Sequence, residues 1–220
     1  MRFYYGSDKL VIKPLFNYGN PSNDYGLGFY LTADKELARL WASKFEQGGF
    51  LIEYDVNITD LNILHLDSIK DEDVLAWISI LISHRFSKEE RAENKVFIKW
   101  LEESYPIILD GVDVIIGYRA DDSYFDYSRD FVRNELSLEI LKDAMRLGKL
   151  GNQFVLKSKK AFDSIRYIRS EKVEHAEEYE TFRKRTKLEY LKLKKEDNVN
   201  NTFIRDLIRR KSGSKQWLTT

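Results

Sequence analysis

Short apolar runs and longer apolar stripes alternate along this chain, and each period predicts an element. Residues 2–5, RFYY, read as a strand that stops at Gly6-Ser7. Residues 28–31, GFYL, read as a short buried strand, with Thr32 or Asp34 placed to cap the helix after it. Leu37, Ala38, Leu40, Trp41 and Phe45 give that helix an apolar stripe. Residues 50–56, FLIEYDV, predict a strand, and residues 61–66 a shorter one with Leu61 and Ile63 opposite Asn62. Two amphipathic helices follow at 71–85 and 88–103, expected to pack together as a helical insertion beside the sheet. Trp77 and Trp100 are expected in the core, and the lone histidines His65 and His84 in structural roles.

Residues 113–117, DVIIG, are apolar enough for a central strand, which exits into the polar run 118–124. Charged side chains at a strand end can face a cleft, so Arg119, Asp121 and Asp122 are candidate site residues. Ser137 can cap a helix that stops at Gly148, and residues 152–157 and 165–168 predict two more strands around a short helix. From residue 171 the composition changes. A narrow apolar stripe in a Glu/Lys/Arg background predicts a long helix over 171–196, and the polar run 197–201 breaks it. Thr202 can cap a last helix. These helices are expected to lie on the body of the same chain, because isolated helices are marginal in water.

Composition narrows the chemistry. The 220 residues are 43% hydrophobic and 14% aromatic, enough for one domain with a sizeable core. The absence of cysteine excludes a disulfide framework, a thiol nucleophile and a thiolate metal site. No apolar run is long enough to span a bilayer, so the expectation is a cytoplasmic protein with no membrane partner. Net charge is zero, yet residues 150–220 hold 18 Lys+Arg against 10 Asp+Glu, which leaves an acidic body and a basic tail. Such a tail is a solvated helix surface or a grip for an acidic partner or nucleic acid.

Three stretches bear on function. Tyr4-Tyr5-Gly6-Ser7 ends the first strand, and Asn152-Gln153-Phe154-Val155-Leu156 forms a late one. Between them, Gly26 and Gly28 bracket a tight passage into Tyr30, with Trp41 beyond ten intervening residues. A strand-turn-helix unit can bring those two rings together across a slot one flat ring thick. In this order, from about Arg2 to Arg169, the stretches resemble the three signatures of ADP-ribosyltransferases of the diphtheria-toxin and poly-ADP-ribosyltransferase type. The chain is also similar to an uncharacterised bacterial family of such proteins, some encoded beside small partner proteins.

The resemblance implies an α+β fold: a split, mostly antiparallel sheet over residues 1–170 with a helical insertion at 71–103, and a basic helical extension over 171–220. It implies NAD as substrate, bound by Tyr5, Gly6, Ser7, Gly28, Tyr30 and Trp41. NAD cleavage passes through an oxocarbenium-like state, so the leaving nicotinamide cation must be gripped by aromatic faces and the ribose charge stabilised. Tyr5 stands where the family has a histidine, and its hydroxyl can still bond a ribose hydroxyl. Ala38 stands where related enzymes often have a serine. Gln153 stands where the family has a glutamate. An amide there lacks the negative charge worth about 3–4 kcal/mol, or ~10²–10³ in rate. Asp121, Asp122 or Glu135 could supply the missing carboxylate.

The function expected is mono-ADP-ribosylation of a protein or nucleic acid, with the toxin of a toxin–antitoxin pair, held by a small antitoxin protein, as the role to consider. Two alternatives stand beside it: a non-catalytic NAD- or nucleotide-binding module, and a nucleic-acid-binding protein acting through the basic tail.

Overall fold

The structure is a computed structural model that describes residues 1–120, 122–147 and 151–216; the side chains of 122–125 and 211–216 are not described. It is α+β with two sheets. β1 (Arg2–Ser7), β3 (Gly49–Val56) and β7 (Ile165–Val173) form an antiparallel sheet in the order β1-β3-β7. β2 (Phe29–Leu31), β4 (Ile63–Leu66), β5 (Val114–Tyr118) and β6 (Asn152–Leu156) form the second, in the order β2-β6-β5-β4. Only the β4–β5 pair is parallel among the described strands. A single antiparallel bridge joins the sheets: Tyr4 N–H donates to Thr32 C=O (2.7 Å) and Thr32 N–H to Tyr4 C=O (3.0 Å).

Strand periodicity explains what fills the interior. Inward-facing Phe3, Leu31, Ile52, Tyr54, Val114, Phe154 and Leu156 pack as one buried cluster between the sheets. A larger cluster lies under the helices. It collects Trp41 and Leu37 of α1 (Lys35–Ser43), six or more apolar side chains of α2 (Asp71–Arg85), and Ile98 and Leu101 of α4 (Lys95–Ser104). The helix predicted over 88–103 is two helices. α3 (Lys88–Glu93) ends at Asn94, whose buried amide donates to Glu90 C=O (2.9 Å), and α4 restarts there.

Other expectations shift for local reasons. The polar run after β5 enters a helix, α5 (Asp122–Val132), which buries Tyr127, Phe131 and Val132. The helix after Ser137 is α6 (Leu138–Ala144), with Ser137 Oγ accepting from Ile140 N–H as predicted; its expected stop, Gly148, lies outside the described residues. A short α7 (Lys159–Asp163) connects β6 to β7. β7 runs on through Val173, so the long charged helix, α8 (Glu178–Glu196), begins later than its composition suggests. The last helix, α9 (Ile204–Gln216), starts beyond Thr202, whose N–H donates instead to Glu139. α8 lies on the body: the Tyr127 and Tyr190 rings are 3.8 Å apart, and Lys194 pairs with Asp130 at 2.6 Å. Trp77 is fully buried as expected, whereas His65 is exposed on β4, 3.3 Å from Asp67. No helix among the described residues is long and apolar enough to cross a membrane.

Candidate active site

Beside the bridge between the sheets lies a cleft of about 990 Å³. β1 contributes Tyr5 and Gly6 to it, the β2 approach Gly28 and Tyr30, and α1 Trp41. Gln153 of β6 and Arg119 at the exit of β5 complete the inner wall, and the loop of residues 9–23 forms a rim. Asp34 caps α1, its carboxylate accepting from the N–H groups of Glu36 (2.9 Å) and Leu37 (3.0 Å). That cap fixes where the helix starts and so the turn on which Trp41 sits.

The cleft holds a buried carboxylate. Asp24 Oδ2 accepts from Gln153 Nε2 (2.7 Å) and from the Ala120 backbone N–H (2.8 Å), while Oδ1 pairs with Arg85 at 2.7 Å. Arg85 also donates to Ala120 C=O. A carboxylate taken from water needs such partners, and three elements converge to supply them. Asp24 is the only carboxylate among the described residues that line the cleft, against the cations Lys9, Lys13, Lys44, Arg85 and Arg119.

The two aromatics of the expected clamp line this same cleft, but their rings do not touch among the described contacts. Tyr30 is anchored by its hydroxyl, which donates to Gly26 C=O (2.6 Å) and accepts from Tyr25 N–H (3.1 Å). Burial holds that phenol well above its ordinary pKa, so it stays a donor. Trp41 is 8% exposed, and the Arg119 guanidinium lies over its ring, 3.4 Å from the centroid. A flat, delocalised cation therefore already occupies the indole face.

Residues 1–167 match the model of a family described as Protein of unknown function (DUF3990). The chain belongs to the DUF3990 family. No curated protein and no solved structure matches it. The DUF3990 match covers every cleft residue named so far and ends before Tyr179, a residue of α8 that also reaches the cleft rim.

Of the sequence-predicted residues, Tyr5, Gly6, Gly28, Tyr30, Trp41, Arg119 and Gln153 come together. Burial raises the Tyr5 hydroxyl's pKa, against Ser7 and the Arg119 charge, which lower it. Ser7 is not among the cleft residues: it is buried at the strand end, where its hydroxyl accepts from Lys9 N–H (3.2 Å) and turns the chain. Gly6 borders the cleft, but its missing side chain serves packing. A Cβ there would stand 2.1 Å from Ala38 C=O and 2.9 Å from Ala42 N, so the glycine lets α1 approach β1. Ala38 is fully buried in that contact. Gly28 likewise lets the β2 approach press on β6, since a Cβ would meet Val155 Cγ1 at 2.7 Å. Glu135 is away from the cleft, 3.3 Å from Lys194 on the α8 side. Asp121 and the side chain of Asp122 lie outside the described residues.

Sequence reasoning missed Asp24, Arg85 and Tyr179. Asp24 had a signal, an acid abutting the glycine-bracketed passage. Arg85 had none, because a cation in the last turn of a helix is an ordinary complement to the helix dipole. Among the described residues no group of three His, Asp or Glu could hold a metal ion.

Proposed function

We propose that this protein is an NAD-dependent mono-ADP-ribosyltransferase acting on a macromolecular acceptor. One observation carries the reading: Tyr5-Gly6, Gly28 to Tyr30 with Trp41, and Gln153, far apart in sequence, line a single cleft. An antiparallel sheet and a mixed one, joined by a single bridge beside that cleft, support the reading as two halves of a split sheet.

The chemistry fits NAD at both ends. Nicotinamide in NAD is a flat cation, and the indole face of Trp41 already takes a flat cation from Arg119. When the ring docks there, Arg119 leaves the face and joins Lys9, Lys13 and Lys44 toward the diphosphate. Tyr30 forms the other wall, with its hydroxyl fixed. The Tyr5 hydroxyl faces the ribose as a neutral donor. The C1′–N bond then breaks, its electron pair leaving with nicotinamide, and the acceptor nucleophile attacks C1′ and loses a proton.

The test is nicotinamide release from NAD by the purified protein, and transfer of labelled ADP-ribose into a cell extract. Release with labelled macromolecule is the expected result; neither product after long incubation refutes the reading. Where a small protein is encoded beside this one, co-expression should relieve toxicity if it is the antitoxin.

A second reading rests on the paired state of Asp24. With three partners on its carboxylate and an amide at position 153, the cleft could bind NAD or a similar nucleotide without turnover. Calorimetry showing saturable NAD binding with no product would favour it.

A further inference from the structure

Gln153 is buried, 2% exposed, and fixed by one bond: its Nε2 donates to Asp24 Oδ2 at 2.7 Å. Carboxylates only accept, so this contact sets the amide's orientation. Nε2 must face Asp24 and Oε1 must face the other way. Among the described residues no group donates to Oε1, which belongs to a side chain lining the cleft. It is not among the fully buried unpaired atoms, so it keeps access to the cleft, and an open amide oxygen beside a bonded amide nitrogen is a prepared acceptor. The negative charge sits one bond further back, on a carboxylate that Ala120 N–H and Arg85 hold in place.

On the reading of the cleft as an NAD-cleaving site, we infer that Asp24 and Gln153 replace a single catalytic glutamate as a relay. Gln153 Oε1 accepts the hydrogen bond of the ribose 2′-hydroxyl. Asp24 is a positioning residue: it fixes the amide and polarises it through Nε2–H, so Oε1 gains negative character as C1′ becomes cationic. No proton moves between the two residues. The ligand class is a cationic N-ribosyl group with a free 2′-hydroxyl, so a 2′-deoxy analogue should bind and not be cleaved.

The relay can be reversed, and that reversal is the test. Asp24→Asn keeps the shape and removes the charge; kcat for nicotinamide release should fall about 10²-fold with KM within about 3-fold. Gln153→Glu alone sets two carboxylates side by side, which cannot both ionise, and should not exceed wild type. The double variant D24N/Q153E swaps amide and acid: position 24 then donates through its Nδ2, at the expense of the Ala120 N–H that shares that oxygen in the wild type, and position 153 carries the charge at the ribose. It should recover at least 10-fold over D24N. Urea midpoints check folding. If D24N does not fold, D24N/R85M also removes the cation that paired with the lost carboxylate, and the same kcat loss is expected.

D24N retaining kcat within 3-fold, or a swap as slow as D24N, overturns the relay while wild-type release leaves the enzyme reading standing. No release by the wild type overturns both.

Discussion

Gly6→Ala is the sharpest test of how the cleft is built. The added methyl carbon would stand 2.1 Å from Ala38 C=O, 2.9 Å from Ala42 N and 3.0 Å from Trp41 Cβ. The first two are backbone atoms of α1 and cannot rotate away. Reaching the 3.4 Å at which ordinary contact begins requires a shift of about 1.3 Å between helix and strand. Gly6 has no positive φ, so the cost is packing alone. Overpacking costs about 1–3 kcal/mol, and backbone on both sides places this case near 3 kcal/mol. For a chain of this size that lowers Tm by about 6–12 °C. Gly111→Ala is the control: nothing lies within 4 Å of its Cβ, but its φ of 75° is left-handed, which costs roughly 1 kcal/mol. Calorimetry or a thermal circular-dichroism scan measures both. A Gly6→Ala shift no larger than that of Gly111→Ala would show that α1 is not seated on β1. The same variant should weaken NAD binding, because the displaced helix carries Trp41.

Three further outcomes are expected. Tyr30→Phe strands Gly26 C=O and Tyr25 N–H and should cost about 1–3 kcal/mol in urea unfolding, together with loss of NAD affinity; unchanged stability would mean that the hydroxyl bonds add nothing. Arg119→Ala uncovers the Trp41 face, so a phosphate-free flat cation such as 1-methylnicotinamide should bind about 5–30-fold tighter by fluorescence titration, from a cation–π contact of about 1–2 kcal/mol. Weaker binding would count against competition for that face. His84 lies under the Tyr25–Gly26 turn, and burial, then the Lys157 charge, holds its pKa below the ordinary 6.5. The unfolded chain takes up a proton near 6.5 while the folded one does not. His84's share of stability is therefore complete above 6.5 and is lost as pH falls toward the lower folded value. Urea midpoints from pH 7.5 to 5 should show this loss, and His84→Gln should reduce it.

The elements with a strong period are legible in the sequence. The runs 50–56 and 113–117 marked β3 and β5 to within a residue because they are short, apolar and bounded by glycine or polar residues. α1 was legible from its continuous stripe, with Thr32 or Asp34 as the cap, and Asp34 is the one that serves. α5 was not: Tyr127, Phe131 and Val132 are its buried apolar residues among those described, and a run of Asp, Ser and Tyr reads equally as a polar loop. β7 also misled, since its outward positions after Arg169 are charged and an exposed edge strand then resembles the charged helix beyond it.

The aromatic and glycine positions of the cleft were marked in the sequence because local geometry demands those residue types: a glycine where helix meets strand, a tyrosine at a short strand, a tryptophan on the following turn. Their convergence on Gln153 followed from strand order, with β6 between β2 and β5. Which carboxylate serves Gln153 was decided by tertiary structure alone. The sequence points to acids beside β5 and α6, whereas Asp24 reaches Gln153 across 129 positions of chain. Local periodicity carries no information about such a contact. It exists because the passage before β2 folds over the end of β6, where burial leaves an acid no stable state except one bonded to the amide, the backbone N–H and the arginine beside it.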